Sequence, residues 1–552
     1  MRGDARWRWA FALLAAATTA LFLAGLGRLP LFGRDEALYA EAGREMLASG
    51  DWITPRVNAL PFLEKPPLYY WLAGLCYRAV GVSPFGARLP AALMAILTVL
   101  LTARIGARAW GPRAGMLAGL ALAASLQMAM IGRIGIMDAP LTCLTVLALL
   151  AYERWRDRGS LAGASAFGVC LGAAALLKGA AGLVPLAVAV AHALVWRPRH
   201  GAGRSLPTRS AARAALAVVA FLVVAAPWFM AMNARHGSAF GATLFLREHV
   251  RRVLQPMQGH GGPLWFYLPI ILVGFFPWVM FALPGARREA HESEKRAFWR
   301  SLAVVWTLVI LVPFSVVSTK LPGYVTPLFP ALALLAGADL SGRWEQTRRA
   351  PWVAALVAAA LLAALVLVLP AAGARIGERV GAAREARLLV GPAAAWAAGY
   401  LVVAAGAVLG LTGRMRSGLA MTAAGQAVCL LSLLAGVLPV LSPYLGGASA
   451  TLALRAEKEL PGRQIVLYET NPETVNFVLR RAVPTYDDDQ KEQLLAHVQE
   501  TPTALIAPLG EEAFWRNLPA RRRWREGDRV LLDVSAQDRP KRKTTDSGHQ
   551  RQ

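Results

Sequence analysis

The sequence predicts an α-helical polytopic membrane protein with a small C-terminal α/β domain. Of its 552 residues, 56% are apolar and 17% are charged, and the mean hydropathy is +0.43. A soluble globular protein is about 45–50% apolar and about 25% charged, so this composition excludes a soluble enzyme and a disordered chain. Thirteen apolar runs have about the length of a membrane span, and a polar segment follows them.

The net charge of +25 does not indicate a nucleic-acid partner, because the basic residues flank the apolar runs. Residues 446–552 contain 17 Lys and Arg against 16 Asp and Glu, so nearly all of the positive excess lies in the apolar part. The cysteines Cys76, Cys143, Cys170 and Cys429 each lie inside an apolar run. They predict neither a disulfide framework nor a CxxC metal site.

We expect thirteen transmembrane helices, near residues 9–27, 85–103, 114–131, 137–151, 161–177, 180–196, 214–232, 264–283, 299–317, 322–338, 352–371, 389–411 and 418–438. The stretch 66–82 is short and begins after Lys65, so we interpret it as a juxtamembrane or re-entrant element, with a fourteenth span as the alternative. No small-residue cleavage site follows the first run, which favours a membrane span over a cleaved signal peptide.

Along the chain, every second loop between spans is short and rich in arginine. Such basic loops of a membrane protein stay in the cytoplasm. This pattern places the loops 28–84 and 233–263 and the domain 446–536 on the outer side of a transmembrane domain that covers residues 1–445. Within the outer domain we expect strands at 464–468, 503–507 and 529–533 and helices at 472–481 and 490–500. The polar tail 537–552 is predicted to be disordered.

Six polar clusters fall on the outer side of this topology. They are Gly33–Met46, Pro61–Tyr70, Arg133 with Asp138, Lys178 in a tight hairpin, Arg247–Arg252 with His260, and Ser318–Pro327. Charges at the edge of a membrane are costly and are functional hypotheses by default. A single site at the outer membrane boundary explains all six, and the alternative for each cluster alone is an ordinary juxtamembrane charge.

The side chains in these clusters are of three chemical kinds. They are the carboxylates Asp35, Glu36, Glu64 and Asp138, the imidazoles His249 and His260, and the cations Lys65, Lys178, Arg247, Arg251, Arg252 and Lys320. Carboxylates with imidazoles suit a divalent metal such as zinc or manganese, and several fixed cations suit a phosphate. The sequence contains neither a GxxxxGK[ST] loop nor a GxSxG elbow. The set therefore predicts a lipid-phosphate-linked donor substrate, whose tail we expect between spans near residues 264–281.

Two other function classes fit the sequence less well. A transporter or lipid flippase would carry ionisable residues at mid-membrane depth, whereas these collect at one boundary. A structural scaffold for envelope assembly would not need the six clusters.

The motifs in these clusters, in their order along the chain, resemble one family of glycosyltransferases. They are Arg34-Asp-Glu-Ala-Leu-Tyr39, Glu64-Lys-Pro-Pro-Leu68, Glu248-His249 with Arg252, His260 with Trp265-Phe-Tyr267, and Lys320-Leu-Pro-Gly-Tyr324. The family is that of the bacterial lipid A aminoarabinose transferases. It belongs to the glycosyltransferase C superfold, whose members use polyprenyl-phosphate sugars and include the protein mannosyltransferases.

The resemblance implies transfer of 4-amino-4-deoxy-L-arabinose from undecaprenyl phosphate to a phosphate of lipid A, at the periplasmic face of the inner membrane. The product gives resistance to polymyxin-type cationic peptides. The implied partners are the lipid-linked sugar donor, lipid A and membrane lipid, with no nucleic acid, and the chain is expected to act as a monomer. A polyprenyl-phosphate-sugar transferase that uses a protein or another glycan as acceptor is the alternative.

The resemblance also implies roles for individual residues. Asp35, Glu36 and Asp138 are the expected catalytic residues, although Asp35 has an alternative as a helix cap. Asp138 binds the sugar amino group, holds Arg133 or caps its helix. A divalent metal is expected on Glu64 and His249, with His260 as the alternative imidazole and with zinc favoured over manganese or magnesium. The expected substrate-binding residues are Tyr39, Lys65, Lys178, Arg247, Arg251, Arg252, His260, Lys320 and Tyr324.

Overall fold

The structure, a computed structural model, describes residues 2–196, 208–244, 261–287, 292–342, 349–380 and 383–511, residues 515 and 518, and residues 520–534. The chain divides into two compact units. The first, a helical unit, comprises Met1–Arg28, Ala42–Arg56 and Leu60–Val440. The second comprises Leu29–Glu41, Val57–Ala59 and Leu441–Gln552, so it contains pieces of the first outer loop in addition to the C-terminal segment.

Each predicted apolar run coincides with a helix or with consecutive helical segments. The α-helices up to residue 441 are Arg2–Leu23, Gly33–Ser49, Leu68–Val80, Pro84–Trp110, Pro112–Ala123, Leu126–Ile131, Asp138–Arg158, Leu161–Lys178, Val184–Val195, Thr208–Gly241, Tyr267–Gly274, Val279–Gly285, Glu294–Val316, Phe329–Gly342, Arg349–Val380, Ala383–Leu388, Val390–Leu411, Met415–Ser432 and Leu438–Leu441. Gly179–Leu183 and Pro322–Leu328 are 3₁₀-helices, and Leu433–Val437 is a π-helix. The first outer loop also contains the short strands β1 (Arg56–Val57) and β2 (Leu60–Pro61).

The predicted number of thirteen spans is not confirmed. In the described ranges, eight helices are long and apolar enough to cross a membrane, or nine if the bent pair Tyr267–Gly274 and Val279–Gly285 is one span. One of the eight is a stretch of 35 residues, Leu161–Val195. As a straight helix it would be roughly 50 Å long, whereas the hydrocarbon core is about 30 Å thick. The 3₁₀ turn Gly179–Leu183 divides this stretch where the sequence places a hairpin.

Helix Leu68–Val80 has 13 residues, which is too short to span the bilayer. This length agrees with a juxtamembrane or re-entrant element and not with a fourteenth span.

Close helix packing in the helical unit depends on glycine. A Cβ atom on Gly399 would lie 2.8 Å from the carbonyl oxygen of Gly425, and one on Gly406 would lie 2.7 Å from that of Gly418. Small residues let two membrane helices approach until their backbones touch, which is how helices associate without a hydrophobic driving force. The repeated glycines therefore allow helices Val390–Leu411 and Met415–Ser432 to pack in backbone contact.

The second unit contains a five-stranded mixed sheet. Its strands are β3 (Gln464–Tyr468), β4 (Thr485–Tyr486), β5 (Thr503–Pro508), β6 (Ala520–Glu526) and β7 (Arg529–Val534), in the order β4-β3-β5-β7-β6. Strand β3 pairs in parallel with β4 and β5, and β7 pairs antiparallel with β5 and β6. The three predicted strands are confirmed, and β4 and β6 were not predicted.

Both faces of this sheet are covered, which explains why its central strands are continuously apolar. Val466 and Tyr468 of β3 lie in one buried cluster with residues of helix Lys491–Glu500. Ile465 and Leu467 lie in a second cluster with residues of helices Gly447–Glu459 and Glu473–Leu479. The helices predicted at 472–481 and 490–500 are therefore confirmed, with slightly different ends.

Candidate active site

The helical unit encloses a cavity of about 290 Å³ that brings together four of the predicted site residues. Its charged and polar lining comes from Glu64, Lys65, Lys178 and Tyr324. Its other lining residues are Pro66, Leu141, Ala180, Ala181, Val184, Leu244, Ile310, Phe314, Val317 and Pro327. Cations beside an apolar wall suit a ligand that combines a phosphate with a hydrocarbon chain.

The expectation that residues 264–281 supply the apolar wall is wrong for this cavity. The apolar lining comes mainly from helices Asp138–Arg158, Val184–Val195 and Glu294–Val316 and from the turn at Gly179–Leu183. Composition alone did not identify these helices, because every membrane span is rich in apolar residues.

A largely buried ion pair joins Lys178 to Asp138. The Nζ atom of Lys178 lies 2.7 Å from Oδ1 of Asp138, and the two side chains are 17% and 12% exposed. Asp138 is in the first turn of helix Asp138–Arg158, and Lys178 is the last residue of helix Leu161–Lys178. Both placements are favourable in the field of the helix dipole. Asp138 therefore fixes the ammonium group of Lys178 at the cavity wall.

This pairing decides between two of the roles expected for Asp138. Arg133 donates instead to the carbonyl oxygens of Leu21 and Ala24, at 2.5 and 2.8 Å. The interpretation in which Asp138 holds Arg133 is therefore wrong.

Tyr324 lies in the 3₁₀-helix Pro322–Leu328 and lines the cavity beside Lys178. The Nζ atom of Lys178 lies 5.2 Å from the centroid of the Tyr324 ring, within the range of a cation–π interaction. The segment is anchored by Gln127, whose Nε2 atom donates to the Pro322 carbonyl at 3.0 Å and to Thr326 Oγ1 at 2.9 Å.

Gly323 allows this segment to approach Asp138. A Cβ atom added to Gly323 would lie 3.0 Å from Cγ and from Oδ1 of Asp138. The motif Lys320-Leu-Pro-Gly-Tyr324 thus has a local explanation, because the proline begins the 3₁₀-helix, the glycine permits close contact and the tyrosine lines the cavity. Lys320 itself is 4% exposed, donates to the Val317 carbonyl and is not among the residues that line the cavity.

Glu64 and Lys65 line the cavity from the first outer loop, and both are half-buried. They follow β2 and precede helix Leu68–Val80. The amide of Phe62 donates to the Pro55 carbonyl at 2.8 Å, which fixes the base of the loop two residues before Glu64.

The same loop is held to helix Thr208–Gly241 by side-chain contacts that we call the Asp51 clamp. Arg235 donates to both carboxylate oxygens of Asp51, at 2.8 and 3.0 Å. The indole nitrogen of Trp228 donates to the Ile53 carbonyl at 2.8 Å, and Thr54 hydrogen-bonds to His236 at 3.0 Å. These polar contacts hold the loop against this helix.

Asp35, Glu36 and Tyr39 lie in the second unit, at the start of helix Gly33–Ser49. Glu36 is 1% exposed and accepts a hydrogen bond from the Phe32 amide, so its carboxylate stabilises the N-terminus of helix Gly33–Ser49. Asp35 is exposed, and Tyr39 is buried. Of the two adjacent carboxylates, Asp35 is therefore the one that a substrate can reach.

Five predicted site residues, Arg247, His249, Arg251, Arg252 and His260, lie outside the described residues. The expected metal site on Glu64 and His249 therefore stays a prediction. Within the described ranges, no group of three or more His, Cys, Asp or Glu side chains is placed to hold a metal ion. Of the two predicted ligands, the described part of the site contains Glu64 alone.

Sequence reasoning missed Gln127, Asp51 and Arg235, and it included Gly323 in a motif without assigning it a role. Gln127 carried a usable signal, since an amide inside an apolar run needs a buried partner. Gly323 carried none by itself, because its importance lies in the close approach of two segments far apart in the sequence.

The chain is similar in sequence and in structure to known sugar transferases. Residues 64–230 match the family described as "Dolichyl-phosphate-mannose-protein mannosyltransferase". The "undecaprenyl phosphate-alpha-4-amino-4-deoxy-L-arabinose arabinosyl transferase" of Aeromonas salmonicida is 32% identical over 369 residues, 65% of this chain and 66% of that protein. The protein of the same name from Pseudomonas aeruginosa strain UCBPP-PA14 is 33% identical, over 61% of this chain and 60% of its own length. The chain thus aligns with somewhat less than two thirds of the length of these relatives.

Two crystal structures of ArnT from Cupriavidus metallidurans match nearly the whole chain. The structure bound to undecaprenyl phosphate has a TM-score of 0.75 and 26% sequence identity, over 94% of this chain and 97% of that one. The apo structure also has a TM-score of 0.75 and 26% identity, over 95% and 98% of the two chains.

Proposed function

We propose that this chain, which is similar to the undecaprenyl phosphate aminoarabinose arabinosyl transferases, transfers 4-amino-4-deoxy-L-arabinose from undecaprenyl phosphate to a phosphate of lipid A. The observation that carries the proposal is the cavity in which Lys65 and Lys178 lie beside an apolar wall. A matching fold is known with undecaprenyl phosphate bound. The transfer occurs at the periplasmic face of the inner membrane, and the chain acts as a monomer.

In the proposed reaction, an oxygen of the acceptor phosphate forms a bond to the anomeric carbon of the sugar. The bond from that carbon to the phosphate oxygen of the donor breaks, and undecaprenyl phosphate leaves with the electron pair. Lys65 and Lys178 offset the negative charge that develops on the leaving phosphate, in a site whose apolar walls limit screening by water.

Asp138 is a positioning residue in this scheme, because it acts through the ammonium group of Lys178. The acceptor phosphate is already ionised at neutral pH, so it needs no general base. Asp35, the accessible carboxylate of its pair, then positions the acceptor or contributes to metal binding. Tyr324 is proposed to contact the sugar, and Glu36 supports its helix.

Further proposals concern the predicted residues outside the described ranges. Arg247, Arg251, Arg252 and His260 share the charge of the substrate phosphates. A divalent metal ion, with zinc favoured, is held by Glu64 and His249. Such an ion would add positive charge near a phosphate.

The product carries less negative charge than unmodified lipid A, so we propose that the activity gives resistance to polymyxin-type cationic peptides. The test is mass spectrometry of lipid A from polymyxin-sensitive cells that supply the donor and express the wild type, Asp35→Ala or Lys178→Met. We expect an aminoarabinose-sized mass increase with the wild type alone. Lys458→Met, a lysine in the last turn of helix Gly447–Glu459, is the matched control and should act like the wild type.

Unmodified lipid A from well-expressed wild-type protein would contradict this function. Transfer of the sugar to a protein or another glycan in the same cells would keep the donor and replace the acceptor. That outcome would match the mannosyltransferase family described for residues 64–230.

A further inference from the structure

The first turn of helix Gly33–Ser49 lies in the second unit, together with the C-terminal segment. Gly446 of that segment has a φ of +106°, and a Cβ atom added to it would lie 3.2 Å from the amide nitrogen of Gly33. The two backbones are therefore in close contact, which only glycine permits at this φ. The next two residues of the turn, Arg34 and Asp35, are both exposed.

One side chain of the C-terminal segment reaches this turn. Glu473 is the first residue of helix Glu473–Leu479, and its Oε1 atom lies 3.7 Å from Nε of Arg34. The side chain of Glu473 is 7% exposed, whereas that of Arg34 is 53% exposed. The contact therefore joins a buried carboxylate to a cation that a substrate can reach.

The Arg34 guanidinium is left able to bind a second group. Its contact with Glu473 is made through Nε, and within the described ranges Arg34 makes no other hydrogen bond or ion pair. The two terminal nitrogens of the guanidinium can therefore donate to a ligand. The parallel N–H groups of a guanidinium match the oxygens of a phosphate, and these charge-assisted hydrogen bonds are strong.

Folding stability does not explain the buried carboxylate of Glu473. Its Oε2 atom is shielded from solvent and has no hydrogen-bond partner among the described residues. Burial of a charge without full hydrogen bonding is destabilising, and a long ion pair with an exposed partner stabilises a protein little. The carboxylate is therefore better explained by what it does to Arg34, whose side chain it orients.

We propose that Arg34 binds the acceptor phosphate and that Glu473 is a positioning residue for the Arg34 guanidinium. This inference rests on the proposed function, and within it on the role of Asp35 in positioning the acceptor. A phosphate beside the Asp35 carboxylate is repelled unless a cation lies with it. Arg34 is the cation next to Asp35, so the C-terminal segment contributes to acceptor recognition through Glu473.

The test is steady-state sugar transfer by the purified full-length protein, with the lipid-linked donor and lipid A varied in turn. We expect Arg34→Gln to raise the KM for lipid A about tenfold and to leave the KM for the donor unchanged, because one charge-assisted contact to the acceptor is lost. Glu473→Gln should raise the KM for lipid A about fivefold, because Arg34 loses its orientation. It should not lower Tm, since the amide has the same size and removes a buried charge.

A double variant separates positioning from direct binding. Arg34→Gln/Glu473→Gln should have the same KM for lipid A as Arg34→Gln, because Glu473 acts only through Arg34. The matched control is Glu457→Gln, which breaks a 3.0 Å ion pair with Arg481 in the same unit. It should keep the wild-type KM for both substrates.

Three results would overturn the proposal while the wild type transfers the sugar to lipid A. They are an unchanged KM for lipid A in Arg34→Gln, a rise in the KM for the donor in its place, and effects of the two substitutions that multiply in the double variant. A Tm of Glu473→Gln well below that of the wild type would show that this carboxylate is structural and would also overturn its assigned role. Absence of transfer by the wild type would instead contradict the proposed function, and this inference with it.

Discussion

The two walls of the cavity are built in different ways. The helical wall, which presents Lys178 and Tyr324, is made from helix ends, and its charges are paired and largely buried. The loop wall, which presents Glu64 and Lys65, is held by the Asp51 clamp, in which Asp51 is 23% and Arg235 is 45% exposed. A charge on the helical wall therefore cannot be removed without leaving its partner unpaired, whereas water screens changes in the clamp.

The largest expected effect comes from breaking the pair on the helical wall. Lys178→Met should reduce transfer activity by about 100-fold, because it removes a cation that faces the developing charge. It also leaves Asp138 buried and unpaired, at a cost of about 3 kcal/mol in the free energy of unfolding. Activity is measured as sugar transfer with purified donor and acceptor, and stability as Tm in detergent.

The double variant Asp138→Asn/Lys178→Met separates the two effects. It removes both charges, so Tm should return most of the way to the wild-type value while activity stays low. Recovery of activity in the double variant would show that the pair has only a structural role.

The second-largest effect is expected from Gly323→Ala, which tests how closely the helical wall is packed. In Gly323→Ala the new Cβ would lie 3.0 Å from the carboxyl group of Asp138, so the ion pair or the 3₁₀-helix must shift by a few tenths of an ångström. We expect about a tenfold loss of activity with a small change in Tm, since catalysis is more sensitive than folding to such displacements.

Gly391→Ala is the matched control for this substitution, because a Cβ at Gly391 meets no atom within 4 Å. It should keep full activity. An equal loss in both variants would show that Gly323 is not specifically required beside Asp138.

The two walls also differ in how well the sequence predicted them. Asp138, Lys178 and Tyr324 were identified singly, because each is a polar residue at the end of an apolar run. Their pairing was not, since residues 138 and 178 are joined by helix packing and not by any local pattern. The loop wall was identified through the motif Glu64-Lys-Pro-Pro-Leu68, but the clamp that holds it joins Asp51 to Arg235, and this separation has no sequence signal.

In the second unit the sequence predicted the buried strands but not the charged strand at the edge of the sheet. Strands β3, β5 and β7 were predicted because both of their sides are buried, which makes them continuously apolar. Strand β6, Ala520–Glu526, is rich in arginine and lies at the edge of the sheet. Charged side chains are typical of edge strands, where they oppose pairing with another chain, but in a sequence they resemble a loop.

The smallest expected effect comes from the Asp51 clamp on the loop wall. Asp51→Asn should lower the free energy of unfolding by less than about 1 kcal/mol, because the pair with Arg235 is partly solvated. Activity should fall only a few-fold, through a higher KM for the donor, because the loop that carries Lys65 loses one of several anchors. Arg455→Met, which breaks an exposed ion pair with Glu459 in the second unit, is the control and should leave KM unchanged.

The pH dependence of the stability difference between the wild type and Asp51→Asn tests whether that difference is electrostatic. Partial burial raises the pKa of Asp51, but hydrogen bonds from Arg235 and from the Ile53 and Thr54 amides lower it more, so the folded-state pKa lies below its usual value of 3.8. A carboxylate with a lowered pKa stabilises the folded state above its unfolded pKa, and this contribution is lost as the pH falls through the folded-state pKa. The Tm difference between the wild type and Asp51→Asn should therefore be constant from pH 7 to about pH 5 and shrink below about pH 4. A difference that grows on acidification would mean that the Asp51 carboxylate does not stabilise the loop wall through its charge.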